Sequence, residues 1–165
     1  MLKKILCATM TMLACSVLIF GFVKPDFSGK WVMDQARSFG IPQNMSQTLT
    51  IVHKDDQIEI ETKIVVAGNE RIVKDTYILD GKEHEFTPAV AAGQPQPKGK
   101  RTSNWLPDQK RIQVTDVTTL DTPNGPVVNQ IVRKWSISNA GELVMDMYVD
   151  NVSASFEAKR IFKKQ

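Results

Sequence analysis

The sequence predicts an all-β domain, an antiparallel up-and-down β-barrel of about eight to ten short strands preceded by an N-terminal signal or anchor helix. Three observations carry this. From Gly29 onward apolar and polar residues alternate with a period of two, as in Ile58, Ile60, Ile64 and Val66 against Glu59, Glu61 and Lys63. Turn signals recur between the alternating runs, at Asp55-Asp56, Gly68-Asn69, Asp80-Gly81, Pro107-Asp108, Pro123 to Pro126 and Asn139 to Gly141. After residue 24 no segment carries a helical period over a normal helix length. A closed barrel is favoured over an open sheet because closure removes the unpaired edges of a long meander.

The first 23 residues are a separate object. Lys3 and Lys4 precede an uncharged run from Ile5 to Val23, which reads as the basic and apolar regions of an export signal. The run is also as long as the roughly 20 apolar residues that span a bilayer. The domain, residues 24–165, is therefore expected in the periplasm or outside the cell, or else anchored to a membrane through residues 5–23. Both cysteines, Cys7 and Cys15, lie in this segment. Leu13-Ala14-Cys15 hints at lipid attachment, although the apolar Val17 to Val23 follows where a polar tether is expected. Residues 24–165 contain no thiol, so a disulfide or a cysteine-ligated metal site is excluded from them.

A chain of 165 residues with 42 % hydrophobic composition supports one domain with a real core. Its 21 basic and 18 acidic residues are scattered, with no basic cluster interleaved with aromatics, so no nucleic-acid partner is expected. Lys98 to Arg101, the densest internal basic patch, reads as a solvated loop.

In chain order, Gly29, Trp31 and Met33 share the inward face of a first strand. Asp34 to Ser46 reads as a loop with one helical turn near Gln35 to Ser38. Thr48 to Val52 and Ile58 to Val66 form the next two strands. The strand Arg71 to Leu79 is ambiguous, since Val73, Tyr77 and Leu79 compete with Ile72, Thr76 and Ile78 for the inward face. Asp80-Gly81 predicts a tight hairpin into a short strand, His84 to Thr87. Pro88 to Gly99 reads as an exposed loop, either a gate to a cavity or a tolerated insertion. Arg101 to Leu106, Ile112 to Leu120, Val127 to Ser138, Leu143 to Asp150 and Phe156 to Lys163 complete the meander.

A few polar groups fall on the inward face. Arg133 sits between Ile131 and Trp135, and an inward arginine needs a partner because a buried unpaired charge costs several kcal/mol. Asp116, on the neighbouring strand, is the candidate partner. An Arg133–Asp116 ion pair, Arg133 meeting an anionic ligand, and both facing solvent all remain open. Tyr77 and Asp75 are candidates to line the interior, and Met33, Met145 and Met147 offer an adaptable apolar wall, either core filler or pocket. The candidate ligand-binding set is Arg133, Asp116, Tyr77, Trp135, Met145 and Met147. No catalytic residue, metal ligand or cofactor is assigned. His53 and His84 lack metal-ligand spacing, and no nucleophile elbow or phosphate-cradling loop is present.

Phe27-Ser-Gly-Lys-Trp31 resembles the Gly-x-Trp signature of the lipocalins and the fatty-acid-binding proteins, two branches of the calycin superfamily. Lys159-Arg160-Ile161-Phe162 resembles the Arg-x-Tyr ending of the second branch, with Phe162 in place of the tyrosine. The resemblance implies a lipocalin-like barrel in which the last strand returns beside the first and Arg160 closes one end across Trp31, with Gly29 beside it, by a cation–π contact. It also implies a small apolar or anionic amphipathic molecule held in the barrel. Asp34 to Ser46 is too short for the helical lid of the fatty-acid-binding branch. The leading expectation is a non-enzymatic binding protein. The alternatives are an envelope structural or interaction domain with a filled barrel, and a haem binder or enzyme using His53 or His84 with Asp75 or Asp116.

Overall fold

The computed structural model describes residues 24–90 and 93–165. The expected signal or anchor segment lies outside the described residues. Among the described residues, no helix is long and apolar enough to cross a membrane.

Ten antiparallel strands follow one another: β1 (Gly29–Met33), β2 (Met45–Lys54), β3 (Gln57–Val66), β4 (Asn69–Ile78), β5 (Glu83–Phe86), β6 (Lys98–Trp105), β7 (Arg111–Thr122), β8 (Gly125–Ile137), β9 (Leu143–Asp150) and β10 (Ser155–Lys164). One short 3-10 turn, Gln35–Arg37, follows β1. The strands form a single ten-stranded sheet in the order β4-β3-β2-β1-β10-β9-β8-β7-β6-β5. The last strand pairs with the first, Trp31 opposite Lys164 and Met33 opposite Phe162.

Closure is incomplete, which corrects the expectation of a sealed cylinder. The sheet is a curled half-barrel whose two ends, β4 and β5, are adjacent in sequence yet unpaired. Asp80-Gly81 does turn the chain, but not into a hairpin. Gly81, at φ +72°, gives its N–H to the Ser103 carbonyl at 3.0 Å, so the chain is handed to β6 instead of folding back on β4. Asp80 accepts from the Lys82 N–H and contacts the His84 ring, and β4 and β5 splay apart from that turn.

Strand periodicity decides what faces inward. Along β2 and β3 burial alternates, with Met45, Gln47, Leu49 and Ile51 opposed by Val66, Ile64, Thr62 and Ile60 on the inner face. Pairing with β3 settles the ambiguous strand: Tyr77 lies opposite Ile58 and Asp75 opposite Ile60, so Val73, Asp75, Tyr77 and Leu79 point inward. The basic patch Lys98 to Arg101 is not a solvated loop. It opens β6, and Arg101 is 5 % exposed.

One end of the half-barrel is sealed. Phe27, Trp31, Leu49, Ile58, Ile112, Val114, Leu143 and Phe162 have lost nearly all solvent contact there, each large side chain contributing roughly 1.5–3 kcal/mol. At the other end, inward-facing residues are only half-buried: Leu120, Asn129, Ile131, Met147 and Val149. Solvent therefore enters a concave, largely apolar trough from that side.

The Gly29–Trp31 seal works, but through a different cation. Register places Lys164 across from Trp31, and its ammonium lies 5.2 Å from the indole centroid. A Cβ on Gly29 (φ +130°) would stand 2.7 Å from Lys164 Cε, so the missing side chain is what lets the lysine stem cross to the indole. Arg160, expected in that place, lies four residues back along β10, about 13 Å away at the rise of a strand, and donates instead to Gln47 at 2.9 Å.

Candidate functional site

Under the trough lies a row of charged side chains from five strands. Arg101 of β6 holds Asp116 of β7 with two bonds, Nε to Oδ1 at 2.6 Å and Nη2 to Oδ2 at 2.9 Å. Arg133 of β8 donates from Nη1 to the same Oδ2 at 2.7 Å. On its other side Arg101 reaches across the open seam to β4, from Nη1 to Asp75 Oδ1 at 2.8 Å and to the Thr76 carbonyl at 3.4 Å. The order is thus Asp75, Arg101, Asp116, Arg133, and the first of these links ties β4 to β6 across the open seam.

Local sequence makes the arrangement possible. Because β7 and β8 pair with Asp116 opposite Ile131 and Val114 opposite Arg133, the two charges are diagonal neighbours on one face. Gly99, two residues before Arg101, has no side chain where the Phe86 ring lies, 2.8 Å from a Cβ placed there. Phe86 can therefore cover the Arg101 guanidinium at 4.2 Å while Tyr77 covers it at 4.6 Å. Two aromatic faces and four oxygen acceptors compensate for the water that Arg101 has lost.

The electrostatics follow from this pairing. Burial works against the charge of Asp116, but its bond to Arg101 and the nearby Arg133 outweigh that and hold the carboxyl below its ordinary range. Burial likewise opposes the charge on Arg101, and its bond to Asp116 together with the nearby Asp75 more than offsets it. Tyr77 is pushed up to about 12 by burial and stays a neutral phenol.

Arg160 differs. It projects inward from β10 opposite Met145, with Gln47 as its hydrogen-bond partner, and its Nε is buried with none. Burial first, and then the charge of Arg133, lower it to about 10, below the ordinary arginine range. Trp135 Nε1 is a second buried donor without a partner, on the residue opposite Met145. The cluster therefore sets three guanidiniums, Arg101, Arg133 and Arg160, against two carboxylates, Asp75 and Asp116, and holds spare donors.

Of the residues singled out by sequence, Arg133 and Asp116 are bonded to each other. Tyr77 lies edge-on to Trp135, 6.2 Å between centroids. Met145 is buried beneath Arg160, while Met147, opposite Arg133, is half-buried in the trough wall. Sequence reading missed Arg101 and Gln47. The alternation Gly99, Arg101, Ser103, Trp105 carried the signal for Arg101. The flanking lysines 98 and 100 masked it.

A second concavity opens at the seam, a cleft of about 320 Å³ between β4 and β5 lined in part by Asp75, Arg101, Ser103, Phe86 and His84. Ser103 Oγ is buried there without a partner. His84 stands on the rim with its Nε2 3.0 Å from Asp80. His53 is elsewhere, packed at the sealed end between Phe27 and Trp105 at centroid distances of 5.6 and 5.9 Å. Among the described residues, no three His, Cys, Asp or Glu side chains are grouped to hold a metal ion.

No protein-family model matches this sequence, and no curated protein matches it. Among solved structures the chain is similar to a fatty-acid-binding protein isolated from Manduca sexta, with a TM-score of 0.43 and 14 % identity over 84 % of this chain and 99 % of that one. The all-β antiparallel architecture stands on the strand order of this chain itself, with its final strand paired to its first.

Proposed function

We propose that this protein is a non-enzymatic carrier that holds a small amphipathic anion, its charged head on the Arg160–Arg133 side of the cluster and its apolar part along the trough. One observation carries the reading: the interior contains a guanidinium, Arg160, that no carboxylate among the described residues neutralises and whose Nε has no acceptor. A carboxylate or comparable head group would supply both the missing charge and the missing acceptor, where a charge-assisted bond is strongest. Met147, Ile131, Val149 and Leu120 face inward above it and are half-exposed, which suits an apolar tail. The apolar run 5–23 supports placing the carrier in the periplasm, outside the cell or at a membrane surface, which fractionation of cells producing the chain checks.

The binding test is a calorimetric titration with a medium-chain alkyl carboxylate and the alcohol of the same chain length, on the wild type and on Arg160→Met. The wild type should take the carboxylate at least about tenfold more tightly than the alcohol, the equivalent of 1.4 kcal/mol, and Arg160→Met should remove the difference. Equal binding of the two compounds, or binding of neither, overturns the reading.

A further inference from the structure

The free edge of β4 is a surface the carrier reading does not use. Asn69–Ile78 is a ten-residue strand paired with β3 on one side only. Leu79 donates to Asp56 just beyond it, which fixes the parity: odd-numbered residues bond to β3, and even-numbered ones turn their N–H and C=O to the open side. The half nearer Ile78 is closed off, since Arg101 bonds the Thr76 carbonyl and the Asp75 carboxylate. From Asn69 to Lys74 no backbone bond on the open side occurs among the described residues. That stretch carries Ile72, 55 % exposed on the outer face between Glu70 and Lys74.

We propose that two copies of this chain join along this edge, β4 against β4 in antiparallel register with Ile72 opposite Ile72 of the second copy. The charge pattern selects the occupant and the register. With Ile72 at the two-fold axis, Glu70 of each copy stands directly opposite Lys74 of the other, and all three residues lie on the outer face. Moving the axis to Lys74, Glu70 or Arg71 sets like charges against themselves. An axis at Val73 leaves both ions without a counter-charge opposite. The axis that satisfies the charges is also the middle of the stretch that Arg101 leaves open. Within each copy Glu70 already contacts Lys63 at 2.6 Å and Lys74 contacts Glu61 at 3.2 Å, so the pairing extends a band of alternating sign across both copies. Residues 70, 72 and 74 would exchange about six backbone bonds across the axis.

Sedimentation equilibrium of the full chain over a range of concentrations tests this, using Glu70→Lys and Lys74→Glu separately and mixed. Each single variant sets like charges opposite one another and should raise the dimer dissociation constant by about tenfold or more, whereas the equimolar mixture restores opposite charges at both positions and should return to near the wild-type value. Both substitutions are on exposed positions, and circular dichroism confirms that each variant folds. A wild type that stays monomeric throughout, or a mixture no tighter than its components, overturns the proposal. Association that persists unchanged in both single variants does too, because it would belong to another surface such as residues 1–23. Alkyl carboxylate binding is read separately and should be unaffected in either variant.

Discussion

Arg160→Met tests whether Arg160 is retained for stability or for something it binds. Its lowering to about 10, below the ordinary arginine range, corresponds to about 3 kcal/mol spent keeping the guanidinium charged in the folded state, at 1.36 kcal/mol per unit. Methionine fills much of the same volume beside Met145 without that cost. Against this, Gln47, 5 % exposed, loses its partner, which costs roughly 1–3 kcal/mol. The net expectation is a stabilisation of about 1 kcal/mol in the ligand-free protein, or a rise in Tm of about 3–5 °C for a domain of this size. Adding Gln47→Leu removes the orphaned amide and should raise the gain towards about 3 kcal/mol. Urea and thermal unfolding of the wild type and the two variants measure this. The sign with pH gives a second check. As pH rises above about 10 towards the ordinary arginine range, the folded wild type binds fewer protons at this group than the unfolded chain, so its stability should rise with pH relative to Arg160→Met. Destabilisation of Arg160→Met by more than about 1 kcal/mol would refute the reasoning, since the arginine would then be a net structural contact.

Three further outcomes are expected. Asp116→Asn leaves Arg101 and Arg133 without their shared carboxylate and should cost about 3–5 kcal/mol in urea unfolding. An acid titration of the wild type should show the Asp116 contribution intact above about pH 4, the ordinary carboxylate range, and lost as pH falls through its lower folded-state value; Asp116→Asn should lack this component. Gly29→Ala forces a Cβ against Lys164 at a backbone angle that L-residues rarely adopt. It should destabilise by about 1–3 kcal/mol and change Trp31 fluorescence as the ammonium leaves the indole.

Much of the fold is written locally. Period-two alternation in Ile58 to Val66 and the turn pairs at Asp55-Asp56 and Gly68-Asn69 specify strands and their order, because side-chain direction along a strand is fixed by covalent geometry and one slipped residue would reverse the buried face. The meander is legible on those grounds, whereas the return of β10 to β1 is expected from the motif residues at the two ends of the chain, Gly29 and Trp31 at one and Arg160 at the other, and is shown by the pairing of those strands. Alternation also places Arg133 and Asp116 on the inward face of their strands.

What the sequence alone could not decide depends on register and on competition for partners across the sheet. Which of Lys164 and Arg160 meets Trp31 turns on the β1–β10 pairing, a contact between residues more than 130 apart in sequence. Whether Asp80-Gly81 makes a hairpin depends on Ser103, whose carbonyl takes the Gly81 N–H and so opens the seam. The buried place of Arg101 depends on Asp75, Asp116, Phe86 and Tyr77 converging from three other strands. Sequence fixes the face on which each residue stands because that is a matter of one strand's geometry. Only the tertiary structure decides which charges are paired and which one, Arg160, is left over, because pairing is a property of strands brought together.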